Sequence, residues 1–336
     1  MNKKIINRPD DAVSDFFEGF IKANERYYER IAGVNGLKFK GRRQGKVSLV
    51  VGGGSGHEPL FIGFVGKGLA DAVACGNIFA SPDPFTIYET AKSVDTSKGV
   101  LFLYGNYSGD NLNFDMAEEI LRQEGITTAH YRVKDDCASA PPERRGDRRG
   151  VSGDYYAIKI AAAACDAGLD LEEVLKVCGK LDTRLTSFGM ATSPGQIPGS
   201  DKPTFSIDDD EIEFGIGVHG EPGVRKAKLQ SADELVDAMF AGISNDMPLK
   251  PGDEVCVLVN GMGSTTLMEL GIAYRRLRGI LDQKGINVYD SSLGSFCTSM
   301  EMGGFFITVL KLDDELKKYY DPSCYSPYVA KEAFND

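Results

Sequence analysis

The sequence contains no tryptophan and only three histidines. Its seven cysteines, Cys75, Cys137, Cys165, Cys178, Cys256, Cys297 and Cys324, are odd in number and scattered, with no C-x-x-C pair among them. That pattern supports neither a disulfide framework nor a zinc site, so they read as small buried hydrophobes and no metal is expected. No apolar run approaches the roughly 18 residues that a membrane-crossing helix needs. Residues 1–10 are polar and basic and carry no apolar stretch like that of a secretory leader, so the chain is expected in the cytoplasm, away from membranes. Positive charge is in short supply too: 38 Lys and Arg against 49 Asp and Glu give a formal net charge of −11. The basic residues gather only around Arg144 to Arg149, which leaves no broad face for a nucleic-acid backbone. The first glycine-rich segment, from Gly52, is not a nucleotide fingerprint, since G-x-G-x-x-G fails in register there, and no G-x-x-x-x-G-K-[ST] occurs anywhere in the chain. The chain itself is expected to hold no nucleotide.

Glycine, by contrast, is common, with 39 residues in 336, which suits a fold with many tight strand-to-helix turns. The length favours two domains. In the first half, strand-like runs at residues 46–51, 99–104 and 127–133 alternate with helical patterns, as in a parallel sheet covered by helices. Residues 11–31 read as an opening helix, and 151–167 and 171–185 as two consecutive helices that close the first domain. A stretch rich in Gly, Pro, Ser and Asp at 193–202 marks the crossover. Beyond it, strands are expected at 211–218, 254–259, 286–289 and 305–312, with helices at 231–243 and 267–284. The expected fold is α/β: two α/β domains, residues 1–190 and 191–336, each a mostly parallel or mixed sheet with covering helices.

Two of the three histidines sit in glycine-rich turns. In Gly52-Gly53-Gly54-Ser55-Gly56-His57-Glu58-Pro59 a buried strand turns sharply, and its backbone amides are placed to face a polar ligand; the competing reading is a tight connection with no ligand. In Asn106-Tyr107-Ser108-Gly109-Asp110-Asn111-Leu112-Asn113 a strand ends in a polar loop before a helix at 114–124. Open α/β sheets place ligands at such strand carboxyl ends. Asn106, Ser108 and Asp110 suit gripping hydroxyls, and Asp110 is placed to take a proton, unless Asp110 or Asn113 merely caps the helix. In Phe214-Gly-Ile-Gly-Val-His219-Gly-Glu-Pro-Gly223 a strand delivers His219 into a turn flanked by glycines. A neutral, oriented imidazole is a competent nucleophile toward a carbonyl carbon; the competing reading is a structural histidine. His130, in a strand pattern without such a turn, reads as structural.

These three segments, in this order and spacing, resemble the substrate-binding subunit of the dihydroxyacetone kinase family, and the similarity runs over the whole chain. Ile78-Phe-Ala-Ser-Pro82, Arg148-Arg-Gly-Val-Ser-Gly153, Lys202-Pro-Thr-Phe205 and Cys297-Thr-Ser-Met-Glu-Met302 agree as well. The resemblance implies that His219 bonds covalently to the carbonyl carbon of a short hydroxyketone as a hemiaminal. It places Gly54, Ser55, Gly56, His57 and Asp110 around the substrate, with Asp110 as the base toward the hydroxyl that receives phosphate and His57 assisting. Covalent capture would separate ketones from glycerol, which has no carbonyl. The resemblance further implies a homodimer and a separate all-helical partner subunit that carries ATP or ADP with Mg. In some systems a phosphotransferase-system protein supplies the phosphoryl group from phosphoenolpyruvate. Many members carry Lys immediately before the Asn-Tyr of the second motif, where this chain has Gly105; the lost cation and added space suit either a longer ketose, such as a tetrulose, or a binding protein that no longer supports transfer. A paralogue acts as a ligand-sensing coactivator of a transcription factor. The presence of both His57 and Asp110 favours the kinase subunit, because a sensor needs the anchor but no base.

Overall fold

A computed structural model describes residues 3–333. It is α/β, with two six-stranded sheets and covering helices. One compact unit comprises residues 3–132, 155–180 and 316–333, and the other residues 133–154 and 181–315.

The first unit contains α1 (Ala12–Ala23), β1 (Tyr28–Arg30), β2 (Gly36–Phe39), β3 (Ser48–Ser55), β4 (Ala72–Ile78), α2 (Pro84–Val94), β5 (Val100–Gly105), α3 (Ser108–Gln123) and β6 (Thr128–Val133), followed by α4 (Asp154–Asp166) and α5 (Leu171–Gly179). The sheet order is β1-β2-β4-β3-β5-β6. β3 lies parallel to both β4 and β5, while β1 and β2 extend the edge in antiparallel fashion. β3 and β5 are almost wholly buried, which is why they read as continuous apolar runs rather than alternating ones. Val50, Ala74, Phe102, Ile87, Phe114 and Leu121 form the core that joins this sheet to α2 and α3. α2 starts cleanly because the Asp83 carboxylate accepts from the Phe85 and Thr86 amides at 3.0 Å each and Pro84 takes the first helical position.

The second unit contains β7 (Leu185–Ser193), β8 (Glu211–Phe214), β9 (Arg225–Lys228), α6 (Ala232–Asp246), β10 (Glu254–Gly261), α7 (Leu267–Gln283), β11 (Asn287–Gly294) and β12 (Gly303–Lys311). The order is β11-β10-β12-β7-β8-β9, with β10 and β11 parallel and the other pairs antiparallel. Capping boxes open α6 and α7, Ser231 with Glu234 and Thr266 with Glu269, each satisfying two otherwise orphan amides.

Several boundaries differ from the sequence reading. α1 stops at Ala23 instead of running to residue 31, and the chain turns into β1. The Asn24 side chain donates to the Phe20 carbonyl at 2.9 Å, and Phe20 stacks on Tyr28 with ring centroids 5.7 Å apart, so the apolar period continues across a turn and mimics a longer helix. α5 ends at Gly179, and residues expected in its last turns form a short 3-10 turn and the start of β7. The strand expected at 211–218 stops at Phe214, where Gly215 takes φ +76°. The chain also does not divide once near residue 190. β7 lies between β12 and β8 in the second sheet, whereas α5 and residues 316–333 belong to the first unit. The pairing of β7 with β12 joins residues far apart in sequence, so local patterning does not reveal it.

In the Arg-Arg-Gly-Val-Ser-Gly segment, Arg148 is fully buried and makes a bidentate contact with Asp246 at 3.0 and 2.6 Å. Arg145 and the Thr186 hydroxyl complete the shell of that carboxylate at 3.0 and 2.9 Å. Asp246 is the last residue of α6, a place where the helix dipole disfavours a carboxylate, and the two guanidiniums offset this. Asp246→Ala removes the carboxylate from a buried guanidinium and is expected to cost roughly 3–5 kcal/mol, read as a lower midpoint in urea unfolding.

Candidate functional site

The glycine-rich segment is not the loop that the sequence suggests. Gly52, Gly53 and Gly54 lie inside β3, which runs on to Ser55. A Cβ on Gly52 would stand 2.7 Å from the Ala74 carbonyl, one on Gly53 would stand 2.2 Å from the Phe61 ring, and one on Gly54 would stand 2.7 Å from the Ala80 nitrogen. The glycines therefore let neighbouring backbone and an aromatic ring close onto the strand. Beyond them, the Ser55 hydroxyl donates to the Gly76 carbonyl at 2.7 Å, and the Gly56 amide donates to both carboxylate oxygens of Glu58 at 3.0 Å. Burial pushes the Glu58 carboxyl above its ordinary range against the pull of that amide. His57 is buried, its ring stacked on Phe79 with centroids 4.9 Å apart. Phe79 holds φ +55° directly after β4, a left-handed conformation uncommon outside glycine.

Asp110 occupies the first turn of α3, just past the carboxyl end of β5. The helix is not capped as the alternative reading supposes: the N-cap is Tyr107 with no side-chain cap bond, and Asn113 donates to the Pro82 carbonyl at 2.9 Å. That bond ties α3 to the segment between β4 and α2. Asn106 accepts from Asn111 at 2.9 Å. A carboxylate in a first turn is favoured by the helix dipole. Asp110 and His57 thus both sit at the carboxyl ends of parallel strands in one sheet, where this fold class binds ligands.

His219 lies in the second unit, in the connection from β8 to β9. Its Nδ1 is 2.8 Å from Glu221 Oε1, and its backbone amide donates to Glu221 Oε2 at 2.9 Å. Burial pushes the Glu221 carboxyl up, but the imidazole, the backbone amide and the Arg149 guanidinium outweigh it and hold the group at about 2. Arg149 approaches Glu221 Oε2 at 4.0 Å, donates to the Gly215 carbonyl at 3.0 Å and pairs with buried Asp136 at 2.7 Å. The His219 side chain keeps 24% of its surface exposed, unlike a core histidine. Glycine is required here as well, because a Cβ on Gly217 would stand 2.2 Å from Glu221 Oε2 and one on Gly223 2.2 Å from the Phe214 carbonyl.

Sequence reasoning singled out both histidines and Asp110 but passed over Glu58, Phe79, Glu221 and Arg149. A signal for the two glutamates was present. Each precedes a proline in a histidine-bearing loop, and in the structure each carboxylate accepts the amide two residues back. His130 lies in β6 between the Tyr104 hydroxyl, 2.9 Å from Nδ1, and Glu118, 3.0 Å from Nε2. Burial lowers its pKa. His130, Asp115 and Glu118 offer ligand atoms within 4.8 Å of one another, but Arg132 already pairs with Asp115 at 2.5 Å and Thr128 donates to Glu118 at 2.9 Å. Both carboxylates thus already have protein partners. All seven cysteines are free thiols, five of them buried, and burial pushes Cys165 up to about 12. No helix among the described residues is long and apolar enough to cross a membrane.

The Dak1 domain family matches residues 18–328 of the chain. The dihydroxyacetone-binding subunit DhaK of the PTS-dependent dihydroxyacetone kinase 2 of Listeria innocua is 40% identical over 328 residues, which is 97% of this chain and 98% of that one. A D-erythrulose kinase of Mycolicibacterium smegmatis is 37% identical over 98% of this chain but only 57% of its own length. Among solved structures, the dihydroxyacetone kinase of C. freundii superposes with a TM-score of 0.89 at 28% identity, over 96% of this chain and 59% of that one. The dihydroxyacetone kinase operon co-activator DhaQ superposes with a TM-score of 0.86 at 27% identity, over 92% of this chain and 96% of that one. With the histidine loops and the Asp110 helix in place, these likenesses show that the chain belongs to the Dak1 domain family, that of the substrate-binding subunits of dihydroxyacetone kinases.

Proposed function

We propose that this chain holds a short hydroxyketone, dihydroxyacetone or a tetrulose, as a hemiaminal on His219 for phosphorylation by a separate nucleotide-carrying subunit. The observation that carries the reading is the setting of His219: an imidazole with a quarter of its side chain exposed, on a glycine-flanked turn, with one ring nitrogen engaged by a carboxylate. Such a ring is oriented and nucleophilic. Asp110 takes the proton of the hydroxyl that receives phosphate, with His57 assisting, and Gly54, Ser55 and Gly56 shape the surroundings of the substrate. The nucleotide, ATP or ADP with Mg, belongs to a helical partner, since this sequence has no G-x-x-x-x-G-K-[ST], and its G-x-G-x-x-G string at residues 215–220 leads from β8 to β9 and not into a helix. The likeness to the PTS-dependent Listeria kinase subunit makes a phosphotransferase-system protein the proposed source of the phosphoryl group. Gly105 and the erythrulose kinase relative favour a pocket that accepts four carbons. A homodimer is the proposed assembly.

The experiment is reconstitution. The purified chain with dihydroxyacetone and ATP is expected to give no sugar phosphate. Adding a nucleotide-carrying subunit, charged either by ATP or by phosphoenolpyruvate with the phosphotransferase proteins, is expected to give steady turnover across a panel of C3 to C5 ketoses. Turnover by the chain alone refutes the division of labour. Ligand binding that never leads to turnover favours the second reading, a ketone-sensing coactivator, which the likeness to the DhaQ structure supports.

A further inference from the structure

We infer that Glu221 is a positioning residue that makes Nε2, and not Nδ1, the nitrogen with which His219 meets its ketone; the inference rests on the proposed hemiaminal. One carboxylate holds this histidine twice, Oε2 on the backbone amide at 2.9 Å and Oε1 on ring Nδ1 at 2.8 Å. An ionised carboxylate has no hydrogen to give. The proton between the two groups therefore sits on Nδ1, and in the neutral ring the lone pair is left on Nε2.

The surroundings of Glu221 keep it in that role. Gly220 turns the chain with φ +82°, so that residue 221 folds back over residue 219. Pro222 restricts the Glu221 backbone to extended conformations. Gly217 leaves the carboxylate its space, and Arg149, pinned by Asp136 and the Gly215 carbonyl, adds positive charge 4.0 Å from Oε2. The low pKa of Glu221 agrees with a group that stays ionised.

The chemistry balances without an outside oxidant or reductant. The Nε2 lone pair forms the bond to the carbonyl carbon, the C=O π pair moves to the oxygen, and that oxygen takes a proton from solvent. The ring keeps its Nδ1 hydrogen and becomes cationic, with its charge facing Glu221. The carboxylate thus selects the nucleophilic nitrogen before addition and stabilises the cation after it.

The test uses the full chain with 15N-labelled histidine, first without ligand. The imidazole shifts of His219, assigned by their loss in His219→Ala, are expected to report the tautomer protonated at Nδ1. Glu221→Gln places an amide donor against Nδ1 and is expected to move the proton to Nε2. Adduct occupancy at fixed dihydroxyacetone, read by native mass spectrometry, should then fall roughly 10- to 100-fold, as when the outer partner of a ligating imidazole is removed. Glu221→Asp, which restores an acceptor, should recover the Nδ1 tautomer and part of the adduct. The inference is overturned if the wild-type ring carries its proton on Nε2, an observation that needs no variant to fold. It is equally overturned if Glu221→Gln lowers occupancy without changing the tautomer. Because the tautomer is read on ligand-free protein, loss of the hemiaminal reading itself, through an adduct that survives in His219→Ala, is a separate result.

Discussion

Asp110→Asn, assayed with the nucleotide-carrying subunit present, is expected to bind ketone almost as the wild type does while phosphoryl transfer falls about 100- to 10,000-fold. That range is what a positioned general base usually contributes. The amide is nearly isosteric with the carboxylate, so the first turn of α3 and the tie from Asn113 to the Pro82 carbonyl have no steric reason to move. What is lost is the acceptor for the hydroxyl proton and the favourable pairing of negative charge with the helix N-terminus, the latter worth only about 0.3–1 kcal/mol. Binding is read by adduct occupancy in native mass spectrometry and transfer by the initial rate at saturating ketone. If occupancy and rate fall together, Asp110 places the substrate and another group takes the proton. His57→Asn separates the assistant in the same way: a transfer rate equal to wild type would remove His57 from the chemistry and leave it as a ring packed on Phe79.

The second large effect is the loss of covalent capture in His219→Ala. Addition of imidazole to a carbonyl forms an aminol and expels no water, so the wild-type chain is expected to gain the mass of the whole ketone, and His219→Ala none. An imidazole adduct cannot lose water to a neutral imine, so borohydride has no C=N bond to reduce and should leave the ligand exchangeable. A lysine Schiff base would instead be fixed irreversibly. A retained mass shift in His219→Ala, or a ligand fixed by borohydride, assigns the nucleophile to another residue.

The chemistry of the site was more legible in the sequence than its support was. His57, Asp110 and His219 stood out because glycines or polar residues surround them where strands end, a pattern confined to a few consecutive positions. Glu58 and Glu221 were overlooked because their effect depends on a side chain folding back over two residues. Arg149 was overlooked because it reaches the His219 loop from a segment distant in sequence. The three glycines after Val51 illustrate the opposite error. Read as a loop, they are strand, since only a residue without Cβ lets the Phe61 ring and the segment 79–80 close so tightly on β3. For the fold, repeated strand and helix periods disclosed the α/β class and most elements, whereas the affiliation of β7 is decided by hydrogen bonds to β12, which no local window contains.

That strand pairing bears on how the protein reaches its native state during synthesis. β7 is made after the whole of the first sheet, and its partner β12 follows only after β8 to β11 have been made. Until then, one edge of β7 exposes unpaired backbone groups, a template for intermolecular pairing. The second sheet cannot close before residues 303–311 emerge, so its assembly is governed by late, long-range contacts, which slow folding. The interval in which nascent chains are vulnerable to aggregation therefore spans the synthesis of residues 194–303, about a third of the chain, and holdase chaperones would be needed most by chains stalled between β7 and β12.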